Sequence, residues 1–157
     1  MVTYLLALGL GVVAGMRTMM APTAASWAAY LGWLDLSGTW LAFLGSIWTS
    51  VIFTALALLE LITDQLPGTP SRTIPPAFAA RILSGGLSGA ALGASAGSTG
   101  SMFAGLLCGI VGAVIGTLGG RAFRGRLAQA FGQDRPAAFL EDAVAIVAAA
   151  LIVVALR

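Results

Sequence analysis

The chain has 157 residues, of which 59% are hydrophobic and only 9% are charged. Soluble globular domains usually carry about 25% charged residues, so this composition predicts an integral membrane protein. The formal net charge of +2 is too small to indicate nucleic-acid binding. The lack of histidine excludes imidazole chemistry and histidine-ligated metals, and the single cysteine excludes disulfides and zinc clusters within one chain.

Apolar segments predict an all-α membrane protein with about five transmembrane helices in one integral membrane domain, residues 1–157. The first segment, residues 2–33, is longer than a bilayer requires. Because it contains Gly15, Arg17 and Pro22, we expect a helix that is interrupted between Gly15 and Pro22. The four later helices are expected at about residues 46–66, 77–97, 102–120 and 136–156.

The arginines set the expected orientation. Arg72 follows the second predicted helix, Arg121, Arg124, Arg126 and Arg135 follow the fourth, and the loops after the first and third predicted helices contain no basic residue. Cytoplasmic loops carry an excess of lysine and arginine. Five crossings then place the N-terminus in the cytoplasm and the C-terminus outside.

Two stretches of the sequence resemble each other weakly. Small residues precede Arg17 at residues 11–15 and Arg121 at residues 116–120, and a helix with two acidic residues follows each stretch. We therefore consider an inverted repeat in which helices 1–2 and 4–5 flank a central helix 3. Inverted repeats with interrupted helices are typical of small transporters.

Arg17 is the sharpest single feature, because a charged side chain deep in a membrane costs about 2.5–3.5 kcal/mol on insertion scales. At the helix break, its guanidinium and a half-helix N-terminus would together favour an anion. The alternative is that Arg17 lies near the outer interface and extends to water or to a loop carbonyl. The sequence leaves both open.

Arg121 and four acidic residues complete the candidate substrate or ion site around Arg17. Glu60 and Asp64 share a helix face, and Glu60 is expected to pair with Arg81 or Arg121 or to bind a cation or proton. Glu141 and Asp142 lie in the first turns of the last helix, where the helix dipole or nearby arginines stabilise them. Together they form either a charge-paired vestibule or a solvated rim.

Glycines recur at four-residue spacing in the third and fourth predicted helices, which allows close helix packing. The residues assigned to helix packing are Gly85, Gly89, Gly93, Gly112 and Gly116. The spacing does not decide whether these contacts lie within one chain or between copies. Because five short helices make a thin wall around a pathway, we expect a homo-oligomer.

Three strings carry a family resemblance: residues 15–22 (GMRTMMAP), 59–73 (LELITDQLPGTPSRT) and 139–144 (FLEDAV). Together they resemble a bacterial family of small integral membrane proteins called domain of unknown function 4126. The resemblance implies a location in the bacterial cytoplasmic membrane, and it supplies no catalytic residues. In the family pattern a lysine often follows the aspartate, whereas this chain has Gln65.

The sequence favours a small transporter or channel for a solute or ion, with its polar site near the first-helix break. The alternatives are a non-transporting assembly or interaction protein and, less favoured, a membrane enzyme acting on lipid. No nucleophile–base pair is visible, so we predict no catalytic residue, metal or cofactor. The expected partners are the lipid bilayer, a small solute or ion and further copies of the chain.

Overall fold

The computed structural model describes residues 1–65 and 73–157, which form six α-helices and one short 3₁₀ helix, with no strand among these residues. The elements are α1 (Val2–Met16), α2 (Met20–Tyr30), the 3₁₀ helix (Trp40–Gly45), α3 (Ile47–Thr63), α4 (Pro75–Ala94), α5 (Thr99–Phe131) and α6 (Asp134–Ala155). The predicted end of the second helix at Leu66 and the loop arginine Arg72 lie outside the described residues.

Three of these helices, α4, α5 and α6, are long and apolar enough to cross a membrane. Helices α1 and α3 are also apolar, but they have only 15 and 17 residues. A hydrocarbon core of about 30 Å requires about 20 helical residues. The chain therefore has the architecture of a helical membrane protein, while the predicted count of five crossings is not confirmed.

The first segment breaks between Gly15 and Pro22 as predicted, but the chain reverses direction there. Helix α1 runs parallel to α5, because Gly11 lies against Gly109 and Gly15 against Thr117. Helix α2 then runs antiparallel to α3, and the loop between them covers the α4–α5 turn. Helices α1 and α2 therefore form a hairpin rather than one kinked helix, and its tip is residues 17–19.

Both termini lie at the same end of the helix bundle, together with the α2–α3 loop and the α4–α5 turn. Helix α6 runs antiparallel to α1, since Ile152 lies against Gly9 while Asp142 contacts Arg17. The prediction that the termini lie on opposite sides of the membrane is therefore not confirmed, because the hairpin adds one reversal to the path. We call the other end, which contains Arg121, Arg124 and Arg126, the basic end.

Glycine allows α1, α4 and α5 to pack with their backbones in contact. A Cβ atom at Gly85 or Gly89 of α4 would lie within 3.0 Å of α5 backbone atoms, and one at Gly116 of α5 would lie within 3.0 Å of Val12. The same holds for Gly93 against Ser101 and for Gly112 against α1. The predicted packing glycines therefore make contacts within one chain.

The predicted inverted repeat is not confirmed. Helix α5 continues without a break through Arg121 to Phe131, so it lacks the interruption seen after α1. Helices α1 and α5, the proposed equivalents, run parallel, whereas inversion would make them antiparallel. The acidic residues of α3 and α6 also meet at one end of the bundle instead of lying at opposite ends.

Candidate functional site

The hairpin tip places the C-terminus of α1 inside the protein, where its last carbonyl groups have no partner within the helix. Arg81 of α4 supplies that partner: its Nη1 donates hydrogen bonds to the carbonyl oxygens of Gly15 at 2.9 Å and Met16 at 3.0 Å. A cation at a helix C-terminus also complements the negative end of the helix dipole. Arg81 thus fixes the end of α1.

The N-terminus of α2 is bound by the opposite charge. The Glu60 carboxylate accepts hydrogen bonds from the backbone N–H groups of Thr18 at 2.7 Å and Met19 at 2.8 Å. The hydroxyl of Ser84 on α4 donates to the Thr18 carbonyl. The carboxylate satisfies two N–H groups at the positive end of the helix dipole, so α3 and α4 hold the tip together.

Arg17 lies between these two helix ends and is fully buried. Its Nε donates to Asp142 Oδ1 at 2.5 Å, and its terminal nitrogens form ion pairs with Asp64 and Asp142. A buried charge is tolerated only when it is paired and hydrogen-bonded. The structure therefore contradicts the alternative in which Arg17 extends to water at the outer interface.

A second arginine lies on the side of the cluster that faces the basic end. Arg124 Nη1 is 3.8 Å from Glu141 Oε2 and 4.0 Å from Asp64 Oδ2. Its other nitrogens bind Asp134 at 2.6 and 2.9 Å. Glu141 itself is fully buried. The arginines and acids thus form a continuous paired network from the buried hairpin tip to the basic end.

Five of the six residues predicted for the substrate or ion site come together here: Arg17, Glu60, Asp64, Glu141 and Asp142. Arg121 does not, because its side chain is exposed and donates to the Thr73 hydroxyl at 3.4 Å. Both predicted partners of Glu60 are wrong, since backbone N–H groups take that place. The helix-break residue Pro22 lies in the first turn of α2, where proline is tolerated.

Sequence reasoning missed the roles of Arg81, Ser84 and Gln65. Arg81 was considered only as a partner for a carboxylate, whereas it binds the carbonyl groups that the hairpin exposes. Gln65 Nε2 donates a hydrogen bond to Asp142 Oδ2 at 3.1 Å. The amide that follows Asp64 in the sequence therefore binds the carboxylate that α6 contributes to the cluster. Only the direction of the chain after residue 17 could have revealed these contacts.

Among the described residues, the cluster combines four carboxylates (Glu60, Asp64, Glu141, Asp142) with three guanidinium groups (Arg17, Arg81, Arg124). Within the described ranges, no group of three or more metal-binding side chains suits a metal ion. If one of its pairs opened, a charge would be left without its partner at a buried site, and such a charge attracts an ion or a proton.

Comparison with known families identifies the chain. A family model described as Domain of unknown function (DUF4126) matches residues 4–155, so the chain belongs to this family, as the sequence resemblance indicated. The searches of curated proteins and of solved structures gave no match.

Proposed function

We propose that this member of the domain of unknown function 4126 family is a small membrane transporter or channel in which the α1–α2 hairpin tip is the gate. One observation carries the proposal. Arg17, fully buried at the tip, is paired with carboxylates from two other helices, α3 and α6. Burying a charged hairpin tip among other helices costs free energy, so we expect this tip to have a function.

Non-helical backbone that protein shields from water must find its hydrogen-bond partners within the protein. Here the tip backbone is satisfied by Glu60 and Arg81, which belong to the helices on either side. The tip can therefore separate from these helices only if its ion pairs and backbone contacts open together. A pair-locked element of this kind suits a switch between two discrete states, as a gate requires.

The cluster is also connected to one side of the protein. The side chains of Asp64 and Arg124 are 13% and 19% exposed, whereas that of Arg17 is 1% exposed. A solute arriving from the basic end would meet Arg124 and Asp64 first and Arg17 last. This order supports a pathway that opens from the basic end, and the excess of arginine there favours the cytoplasmic side.

The test is flux in proteoliposomes. Purified protein is screened for passage of small anions, cations and protons, and Arg17→Gln is compared with Arg17→Lys and with Arg157→Gln, which lies at the opposite end. We expect Arg17→Gln to change the flux of at least one ion while Arg157→Gln does not. Thermal unfolding of each variant controls for folding. If wild type passes nothing, or if Arg17→Gln passes every ion as wild type does, the proposal fails.

A second candidate function is a non-transporting assembly or interaction protein. The observation that favours it is the mutual pairing of Arg17, Arg124 and the carboxylates, which also suits a purely structural lock. This candidate predicts that Arg17→Gln lowers stability without changing flux. The flux experiment therefore separates the two.

Location and assembly are further parts of the proposal. The cytoplasmic membrane of a bacterium suits the apolar helices and the arginines at one end. A homo-oligomer stays a prediction, and its interface would need a surface other than the packing glycines, because those glycines contact α1, α4 and α5 of the same chain.

A further inference from the structure

Helix α5 extends beyond the length that a bilayer needs. Its 33 residues reach about 50 Å at 1.5 Å per residue, whereas a hydrocarbon core of about 30 Å uses about 20 of them. Helix α5 begins at the turn from α4, so the surplus falls at the basic end. We call residues 119–131 the α5 overhang.

The overhang and the start of α6 are strongly basic. They contain Arg121, Arg124, Arg126 and Arg135, against the single acid Asp134. Arg124 is paired with Asp134 and with Glu141 of the buried cluster. The other three arginines belong to exposed residues. The net charge of this surface is therefore positive even after the ion pairs are counted.

Two aromatic side chains accompany these arginines. Phe123 and Phe131 are 38% and 51% exposed on the overhang. A 20-residue span from Thr99 ends at residue 118, so Arg121 and Arg126 follow it by about 4.5 and 12 Å along the helix. The headgroup region is about 5–8 Å thick on each side. Arg121 and Phe123 thus lie at headgroup depth, where aromatic rings are enriched, and Arg126 lies within a Debye length of that surface.

We propose that the α5 overhang binds anionic phospholipid headgroups of the adjacent leaflet, with Arg121, Arg126 and Arg135 attracted to the phosphates and Phe123 at the interface. Charge complementarity carries this assignment, and it does not depend on whether the hairpin is a gate. Each arginine near an anionic surface contributes about a fivefold gain in binding. Headgroup binding would hold this end of the bundle at a fixed depth.

The experiment counts lipids bound to the full chain by native mass spectrometry as phosphatidylglycerol or phosphatidylcholine is added. Wild type is compared with the triple variant Arg121→Gln/Arg126→Gln/Arg135→Gln and with Arg157→Gln at the opposite end. We expect wild type and Arg157→Gln to prefer phosphatidylglycerol. The triple variant should lose about fivefold of this preference per arginine, and circular dichroism checks its helix content.

Three results would overturn the proposal. The first is an unchanged lipid preference in the folded triple variant. The second is equal competition by glycerol phosphate, which would show a site for free phosphate instead of a lipid surface. The third is stronger competition by polyglutamate, which would indicate an acidic protein partner. If the triple variant does not fold, each single variant is measured, and the expected loss is then about fivefold in each.

Discussion

Asp142→Asn tests the ion pair at the hairpin tip most directly. The substitution keeps the shape of the side chain and an oxygen that can accept from Arg17 Nε, which now lies 2.5 Å from Asp142 Oδ1. It removes the negative charge that faces a fully buried guanidinium. The measured quantity is the free energy of unfolding in mixed micelles.

The expected loss follows from burial and from the remaining partner. Removing one member of a buried ion pair costs about 3–5 kcal/mol, because the other charge stays buried without compensation. Here Asp64 continues to pair with Arg17, so we expect a loss near the lower limit, about 3 kcal/mol. The double variant Arg17→Gln/Asp142→Asn should lose less unfolding free energy than the sum of the losses in its single variants. Each single variant leaves one charge of this pair buried without its partner, whereas the double variant removes both charges.

Arg124 and Asp134 provide the control, since Asp134 is 62% exposed at its side chain. An exposed ion pair contributes about 0–1 kcal/mol, so Asp134→Asn should barely change the unfolding free energy. The reasoning would be refuted if Asp142→Asn and Asp134→Asn cost the same, or if the double variant showed no coupling between residues 17 and 142.

Two further predictions test packing and topology. Gly116→Ala should lower the unfolding free energy by about 1–3 kcal/mol, because its Cβ would lie within 3.0 Å of α1 backbone atoms. The control is Gly119→Ala, whose Cβ meets open space and which should be neutral or stabilising. Equal effects of the two substitutions would contradict the close packing. An impermeant reagent should label tags at the two termini from the same side of the membrane. In a chain without its native thiol, a cysteine introduced at Thr73 should be labelled from the other side. Termini labelled from opposite sides would disprove the hairpin.

The sequence located the break in the first segment but not the reversal that follows it. Gly15, Arg17 and Pro22 indicate that a continuous helix ends there, and the structure has helices that end at Met16 and begin at Met20. A kink and a hairpin leave the same apolar pattern along the chain, so hydropathy cannot separate them. The arginines held one further signal. If residues 17–19 are counted as a turn, Arg17 continues the alternation of basic and non-basic turns.

The residues of the candidate site were easier to predict than their partners. Buried charges stand out in an apolar sequence, which is why Arg17, Glu60 and Asp142 could be named. Their contacts depend on which helix ends meet at the tip. Glu60 binds backbone N–H groups that are free of helix hydrogen bonds because they lie between α1 and α2, and α3 brings the carboxylate to them. The side-chain types in the sequence do not indicate which backbone N–H groups are free in this way.

Helix packing and the charged cluster position the same three-residue tip from two directions. Gly15 lies against Thr117 of α5, where any Cβ would be closer than 3.0 Å to backbone atoms, and Arg17 is only two residues further along. The depth of the tip is therefore set by backbone contact with α5, while its lateral position is set by ion pairs to α3 and α6. A motion that opens the ion pairs can leave the glycine contact intact. Opening of the tip would then release it from Glu60 of α3, while α1 stays packed on α5.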